Sequence, residues 1–407
     1  MAFITNLRIK NFFSIKNEVT IDFKASAYNI ENNPDRLFEF NGEYYNKIIS
    51  LYGANASGKT TVLKAIITLA KIIQNEDSRK FVVSFKNKFI SVTDKSELSI
   101  TFVVNINNTL REFLYEIEFK SNKYENTGIN NERLFELLKG HKNILLDRRV
   151  KNIKNVDNNI INGIFDNLSD KKSLIQECYK FETTKILKDV KDSFYFIYAF
   201  SNINDFSTQL TLDENDKKVL ASWLDPTLTL TKAIENFFVS FFNSLGQDIL
   251  EVNVKFKEED GKEREFIGID VVHKINITEP LEFELESDGT QMLLKILHNI
   301  FIANITNSPL IIDELDSLLH PVLVPIIINL LIENNIQIIY STHNIYNMQF
   351  LQNDEIFLIE KDENHTTTIK PVKDNPDIKG YKNLLTLYEN GYLGGVPNIK
   401  EIITKIL

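Results

Sequence analysis

Residues 48–74 leave the chain few folds to choose from. Ile48-Ile49-Ser50-Leu51-Tyr52 is a short apolar run that stops at Gly53, as a buried strand does. Gly53-Ala54-Asn55-Ala56-Ser57-Gly58-Lys59-Thr60 follows and fits the pattern G-x-x-x-x-G-K-[ST]. Val62, Ala65, Ile66, Leu69, Ile72 and Ile73 then recur at helical spacing through residue 74. Each fixed residue of such a loop has a physical task. The glycines let backbone N–H groups curl around phosphate oxygens where a side chain would block the approach. The helix that follows offers its N-terminus, which favours anionic charge. Lys59 can reach β- and γ-phosphates, and the Thr60 hydroxyl can ligate Mg2+. A chance match to four fixed positions arises in roughly one chain in a hundred of this length, and the flanking strand and helix make coincidence rarer still.

Three later segments supply what a phosphate loop alone lacks. Leu310-Ile311-Ile312-Asp313-Glu314 is an apolar strand that delivers two acids at its end. Asp313 there can hold the Mg2+ shell, and Glu314 can polarise an attacking water. A buried strand running into merely solvated acids would explain the same five residues. Ile338-Ile339-Tyr340 is a second apolar strand, closed by Ser341-Thr342-His343-Asn344. His343 can contact a γ-phosphate from that strand end; a histidine satisfied by loop backbone is the plain alternative. Glu286-Ser287-Asp288-Gly289-Thr290-Gln291 opens a helix expected over 292–302. A Ser-x-Gly turn at a helix N-terminus is a small anion receptor, although an N-cap serine alone would account for Ser287.

In this order, the phosphate loop (Walker A), the Ser-x-Gly turn, the strand with Asp-Glu and the strand-end histidine resemble the ABC-type ATPase heads of the SMC/RecF class. The resemblance implies an α/β fold, a P-loop NTPase of ABC-ATPase head type, with a mixed sheet core, an antiparallel β lobe and a helical insertion. It implies ATP hydrolysis with Mg2+, and a homodimer in which two heads sandwich two nucleotides. Gly53, Asn55, Ser57, Gly58, Lys59, Thr60 and Thr61 of one subunit would then bind ATP, with Ser287 and Gly289 reaching the γ-phosphate from the other. Thr60 and Asp313 would serve the metal, and Glu314 and His343 the chemistry. Asp313-Glu314-Leu315-Asp316-Ser317-Leu318-Leu319-His320-Pro321 looks like the Walker B and D-loop of that class, with His320 where SMC proteins usually carry aspartate. None of Gln176, Gln209 and Gln247 stands in a setting that marks a Q-loop.

A narrower resemblance runs through Asn11-Phe12-Phe13-Ser14, Glu286-Ser287-Asp288-Gly289-Thr290, Ser317-Leu318-Leu319-His320-Pro321 and Tyr392-Leu393-Gly394-Gly395-Val396-Pro397. These segments look like the AbiLi/RloA branch of bacterial AAA ATPases, found in anti-phage and abortive-infection loci. The PARIS ATPase AriA and the ATPase half of OLD proteins are similar in the same motifs. The resemblance implies a regulatory switch acting on a separate effector, a nuclease or toxin encoded nearby; a phage-derived trigger and assemblies above the dimer are compatible with it. OLD-type nucleases append a Toprim domain, but only 64 residues follow His343 and they contain no Asp-x-Asp, so this chain is expected not to cut nucleic acid itself.

The organisation expected from pattern is threefold: 1–134 with the phosphate loop and antiparallel strands, 135–248 as a helical insertion, and 249–407 completing the ATPase domain after a hairpin over 249–272. With 43% apolar residues, 29 Phe and 14 Tyr, the chain has material for a sizeable core, and 25% charge with few Gly and Pro argues against disorder. Its single cysteine, Cys178, can form neither an internal disulfide nor a Cys-based zinc site, which suits a reducing cytoplasm. There is no run of apolar residues long enough to span a bilayer, and the N-terminus lacks a signal-peptide pattern, so no membrane partner is expected. A net charge of −10 argues against wholesale binding to nucleic acid. The best basic cluster, Arg148-Arg149-Val150-Lys151-Asn152-Ile153-Lys154, reads as a solvated loop before it reads as a DNA contact. Phe194-Tyr195-Phe196-Ile197-Tyr198 reads as a buried strand or helix, and Trp223 carries no visible role. A RecF/SMC-like DNA-binding repair ATPase is the alternative to the defence switch. A transporter subunit is disfavoured by the degenerate signature turn, and an inactive scaffold by intact Lys59, Asp313 and Glu314.

Overall fold

The alternating segments of the N-terminal third pair into one antiparallel sheet. The computed structural model of the chain describes residues 2–74, 95–119, 128–139, 141–178, 185–193, 197–199, 228–257, 265–274, 280–282, 285–317, 319–375 and 384–389. Early strands are β1 (Ala2–Lys10), β2 (Val19–Asp22), β3 (Leu37–Phe40), β4 (Glu43–Asn46), β5 (Ile48–Tyr52), β6 (Ser96–Ile106), β7 (Thr109–Phe119), β8 (Ile129–Leu138), β9 (His141–Asp147) and β10 (Asn152–Ile153). Helices α1 (Ala27–Asn32) and α2 (Lys59–Gln74) lie among them. Seven strands pair antiparallel in the order β10–β9–β8–β7–β6–β1–β2, and β3 with β4 forms a separate hairpin.

Further along come β11 (Ile197–Ala199), β12 (Ile249–Lys257), β13 (Glu265–His273), β14 (Leu281–Glu282), β15 (Leu310–Ile312), β16 (Ile338–Ser341), β17 (Ile356–Lys361) and β18 (Thr367–Pro371). The second sheet has the order β11–β15–β16–β5–β17–β18. Within it β15, β16, β5 and β17 run parallel, with Ile312 beside Tyr340, Ser341 beside Leu51 and Tyr52 beside Leu358. The carboxyl ends of three apolar strands therefore come out side by side at one edge, where Gly53, Asp313 and Thr342 begin. Every residue of β5 and β16 is buried, which is why they read as unbroken apolar runs instead of alternating ones.

Helix α2 touches β16 of the parallel sheet and also β6 and β1 of the antiparallel one. The sequence spacing predicts one apolar face; Leu63, Ile67 and Ala70 are buried as well, and between Thr61 and Ile73 only Lys64 is exposed. A helix apolar nearly all round is one covered on both sides. The phosphate loop is thus mounted between two sheets.

The boundary expected at 134/135 falls inside β8, and the described residues between 135 and 153 are strands and turns, not helices. β8 pairs with β7 (Tyr115 beside Leu134) and with β9 across an irregularity at Leu134/Phe135. A bulge breaks the period-two pattern by which a strand is recognised in sequence, so these residues do not look like one. Helices follow at α3 (Asn158–Asn167), α4 (Leu174–Cys178), α5 (Lys185–Ser193) and α6 (Leu228–Ser244). α4 and α5 pack on α2 itself. Gln176 on α4 is 6% exposed and donates to the Ile72 carbonyl at 2.6 Å, a core contact and not a nucleotide one. Cys178 is buried beside it, and burial pushes its thiol pKa well up.

The basic cluster at 148–154 begins with a structural residue. Arg148 donates to the carbonyls of Lys172 and Ser169, both at 2.7 Å, and sits 3.5 Å from Glu132. Glu132, fully buried, accepts from the Ser173 hydroxyl at 2.7 Å, Tyr115 at 3.0 Å and the N–H groups of Leu174 and Ile175. A buried carboxylate is tolerated when every oxygen is engaged in this way.

The chain divides into two units: Met1–Tyr198 with Ala303–Asp316 and Pro321–Leu407, and Ala199–Ile302 with Ser317–His320. The second contains the hairpin expected over 249–272, with β14 added beside β13, and α6 packed on β12. The half-buried Phe237 ring meets those of Phe238, Phe241 and Phe301 at tilted angles. The remaining helices are α7 (Asp288–Thr306), α8 (Leu323–Glu333) and α9 (Leu384–Glu389). No helix among the described residues is long and apolar enough to cross a membrane. Gln209, Trp223, residues 194–196, the turn at 258–261 and the 391–397 segment lie outside the described residues.

Candidate nucleotide site

The loop after β5 owes its path to two glycines. A Cβ on Gly53 would sit 2.2 Å from the Ile359 carbonyl oxygen of β17, which is rigid backbone. Gly58 has φ +118, and a Cβ there would meet the Thr367 side chain at 2.4 Å. Between them Ala56 also takes a left-handed conformation, φ 60. Gly53→Ala is therefore expected to push the loop off β17, costing about 1–3 kcal/mol of stability as other overpacked sites do. A fall in thermal midpoint together with lost binding of a fluorescent nucleotide checks this; unchanged binding would refute the close approach as a requirement.

The loop is braced from outside by a cluster of hydroxyls. Thr367, first residue of β18, donates its hydroxyl to the Ser57 carbonyl at 2.7 Å and its N–H to the Ser14 carbonyl at 2.8 Å. The Ser14 hydroxyl lies 2.8 Å from that of Thr367 and 3.3 Å from that of Thr61. Ser14 belongs to the turn after β1, where Asn11 and Phe13 have φ 51 and 48. Lys64 sits over the Phe13 ring at 5.5 Å. Inside the loop, the Ser57 hydroxyl is buried and makes no hydrogen bond. Asn55 is exposed on the loop's rim.

Lys59 is 6% exposed, and its ammonium donates to the carbonyls of Gly53 at 2.8 Å and Ala54 at 3.2 Å. Burial lowers its pKa, opposed by the charges of Asp313, Glu314 and Asp316. The Thr60 hydroxyl donates to Asp313 Oδ2 at 2.9 Å. The other carboxylate oxygen of Asp313 accepts from Ser341 at 2.5 Å. Glu314 stands at φ 54, where a non-glycine residue is uncommon, with its carboxylate 3.9 Å from His343 Nε2. Both side chains are partly open to solvent, 44% and 38% exposed. Strain of this kind gathers at functional sites.

The sequence-predicted residues of Walker A, the Asp-Glu pair and His343 thus meet at one sheet edge within the first unit. Ser287 and Gly289 lie in the second unit. Ser287 is the N-cap of α7: its hydroxyl accepts from the Thr290 N–H at 3.2 Å and pairs with the Thr290 hydroxyl at 2.8 Å. The turn is exposed at Ser287 and Asp288, and Glu286 before it is held by His273 at 2.7 Å. Two contributors were not singled out by pattern. Thr367 has no local signal in its Thr-rich strand; Ser341 does have one, a small polar residue ending a wholly apolar strand two positions before His343.

The residues present fit Mg2+ and a triphosphate. Thr60 and Asp313 offer adjoining hard oxygen donors, Lys59 a buried cation, and Ser57 an unengaged buried hydroxyl within the loop. The fold is a mixed α/β P-loop NTPase type similar to SMC heads. A family profile described as "AAA domain, putative AbiEii toxin, Type IV TA system" matches residues 48–348, well over half of the chain. A search of curated proteins finds no match. Among solved structures, an SMC head bound to the C-winged helix domain of ScpA is similar at TM-score 0.53 and 13% identity, covering 90% of this chain and 97% of that one. An SMC head domain from Pyrococcus yayanosii, with a coiled coil and joint, is similar at TM-score 0.47 and 12% identity over 91% of this chain and 97% of the other. The SMC head domain of Thermotoga maritima gives 0.40 and 15%, over 91% and 98%. The first of these carries the likeness of fold.

Proposed function

Because the chain belongs to the AAA_21 family of AAA domains, we propose that it is an ATP-binding and ATP-hydrolysing switch of a bacterial anti-phage system, of the AbiLi/RloA branch and akin to AriA and the ATPase half of OLD proteins. The observation that carries the chemistry is the meeting of Lys59, Thr60, Asp313, Glu314 and His343 at the carboxyl edge of one parallel sheet. Loop N–H groups and Lys59 bind and orient the phosphates. Thr60 and Asp313 would hold Mg2+, which neutralises phosphate charge when bound. Glu314 takes the proton of the attacking water as its oxygen bonds the γ-phosphorus and the bond to the β-phosphate oxygen breaks, leaving ADP and inorganic phosphate. His343, within reach of Glu314, is suited to contact the γ-phosphate.

The regulatory part of the reading rests on resemblance. A second copy of the chain would supply Ser287 and Gly289 across an ATP sandwich, and hydrolysis would reset or release a separate effector, a nuclease or toxin. The exposure of the Ser287 turn is compatible with that contact. Against the DNA-repair alternative, cations of the antiparallel sheet stand beside carboxylates: Arg8 and Arg133 beside Glu116, Lys10 beside Glu97, Lys95 and Arg149 beside Glu118. Among the described residues, mixed charge of that kind disfavours a basic groove over these strands.

The test is steady-state ATP hydrolysis by the purified chain with MgCl2, with and without duplex DNA, using Lys59→Ala as the blank. Slow turnover that ignores DNA and vanishes in the variant is the expected result. Strong stimulation by DNA would transfer the assignment to the repair reading, and absence of both turnover and nucleotide binding would overturn it.

A further inference from the structure

Ser341 is fully buried at the end of β16, between the Walker A and Asp-Glu strands, and its single hydroxyl makes two bonds of opposite sense. The Glu314 N–H, which can only donate, gives a hydrogen bond to Ser341 Oγ at 2.8 Å. The hydroxyl proton is thereby directed to Asp313 Oδ1, 2.5 Å away. The Ser341 carbonyl accepts a third bond from the Leu315 N–H at 3.0 Å. One residue thus grips three consecutive residues of the turn that carries both acids.

We infer that Ser341 is a positioning residue for the hydrolytic site: it fixes which oxygen of Asp313 faces Thr60, and it holds Glu314 in the left-handed conformation from which its carboxylate faces His343. The inference rests on the ATPase reading above. With Oδ1 engaged by Ser341, Oδ2 is left to Thr60 at 2.9 Å, so the pair that would meet the cation is oriented from behind. Glu314 at φ 54 is an unfavourable backbone that persists only where surroundings over-determine it, and the bonds from Glu314 and Leu315 to Ser341 do so. The requirement is chemically narrow. The side chain must donate and accept at once in a fully buried space, and alanine can do neither.

The experiment compares the full-length chain with Ser341→Ala, Ser341→Thr and Ser341→Cys. Two readouts are used: steady-state kcat and KM for ATP, and equilibrium binding of mant-ATP as MgCl2 is titrated. Removal of such an outer hydrogen bond is expected to lower kcat, and to raise the MgCl2 concentration at half-effect, by about 10- to 100-fold in Ser341→Ala. Binding of mant-ATP without Mg2+ stays as in the wild type, because the loop and Lys59 are untouched. Ser341→Thr keeps the hydroxyl and recovers most of both losses, which a mere packing role would not produce. Ser341→Cys keeps the volume with a weak donor and stands in should the alanine variant unfold; it is expected to show the same two losses. Unchanged kcat and Mg2+ midpoint in folded Ala and Cys variants overturn the inference alone, as does equal damage by Thr and Ala. A wild-type chain that binds no mant-ATP overturns the ATPase reading and this inference with it.

Discussion

Glu314→Gln is expected to cut ATP turnover by about 10²–10⁴-fold, the usual contribution of a general base, while nucleotide binding survives. Glutamine keeps the volume and reach of the side chain but cannot take a proton. The residue is well placed for the role: its carboxylate is partly open to solvent, 3.9 Å from His343, and its backbone is held at φ 54 by neighbours that the substitution leaves alone. Equilibrium binding of mant-ATP, which depends on the loop and Lys59, should match the wild type. Single-turnover measurements at saturating ATP separate the chemical step from product release. A loss below about tenfold would remove Glu314 as the base and leave His343 or a residue from a second copy to be tested next.

The largest effect on stability is expected at Arg36. Glu355 is fully buried immediately before β17 and accepts two bonds from Arg36, Nε and Nη2 each at 2.7 Å, with a third from the Gln352 N–H at 2.8 Å. Its own carbonyl accepts from Ser50 in β5, the strand that feeds the phosphate loop. Removing one member of a buried pair strands the other, so Arg36→Met is expected to cost about 3–5 kcal/mol in urea unfolding. Burial raises the Glu355 pKa and Arg36 opposes that rise, so the variant's Glu355 titrates higher still. A carboxyl with a raised folded-state pKa holds a proton the unfolded chain has already lost, and its penalty is relieved as pH falls through that window. The deficit of Arg36→Met should therefore be smaller about two pH units below neutral than at neutral pH. The double variant Arg36→Met with Glu355→Met should recover much of the loss, as apolar replacements of buried pairs often do. A deficit equal at both pH values, or no larger than that of an exposed pair, would show that Glu355 is not desolvated as the fold implies.

Much of the site was legible because its residues are consecutive or sit at strand ends. Strand, glycine loop and helix follow one another without interruption at 48–74, and the close approaches at Gly53 and Gly58 show why no other residue fits there. Asp313 and His343 each follow an apolar strand, and the parallel register of β15, β16 and β5 sets them at one edge. Residues 135–153 were not legible, since a bulge disturbs the alternation that would mark β8 and β9. The second covered face of α2 was not legible either, because nothing local says that another sheet lies above it. Ser287 carries both readings at once: it is an N-cap by its bonds and remains exposed.

By itself the sequence determined the phosphate loop, the strand-borne acids and the strand-end histidine, since backbone sterics, helix-end charge and buried-strand composition act over a few neighbouring residues. Only the tertiary structure decided which groups hold that machinery in place. Ser14 and Thr367 are 353 positions apart and brace one loop; Ser341 grips the turn carrying Asp313 and Glu314; Arg36 neutralises Glu355 across 319 positions. Hydrogen bonds and desolvation depend on distance in space, and distance in space between remote residues is fixed by sheet order and register, which no local pattern encodes.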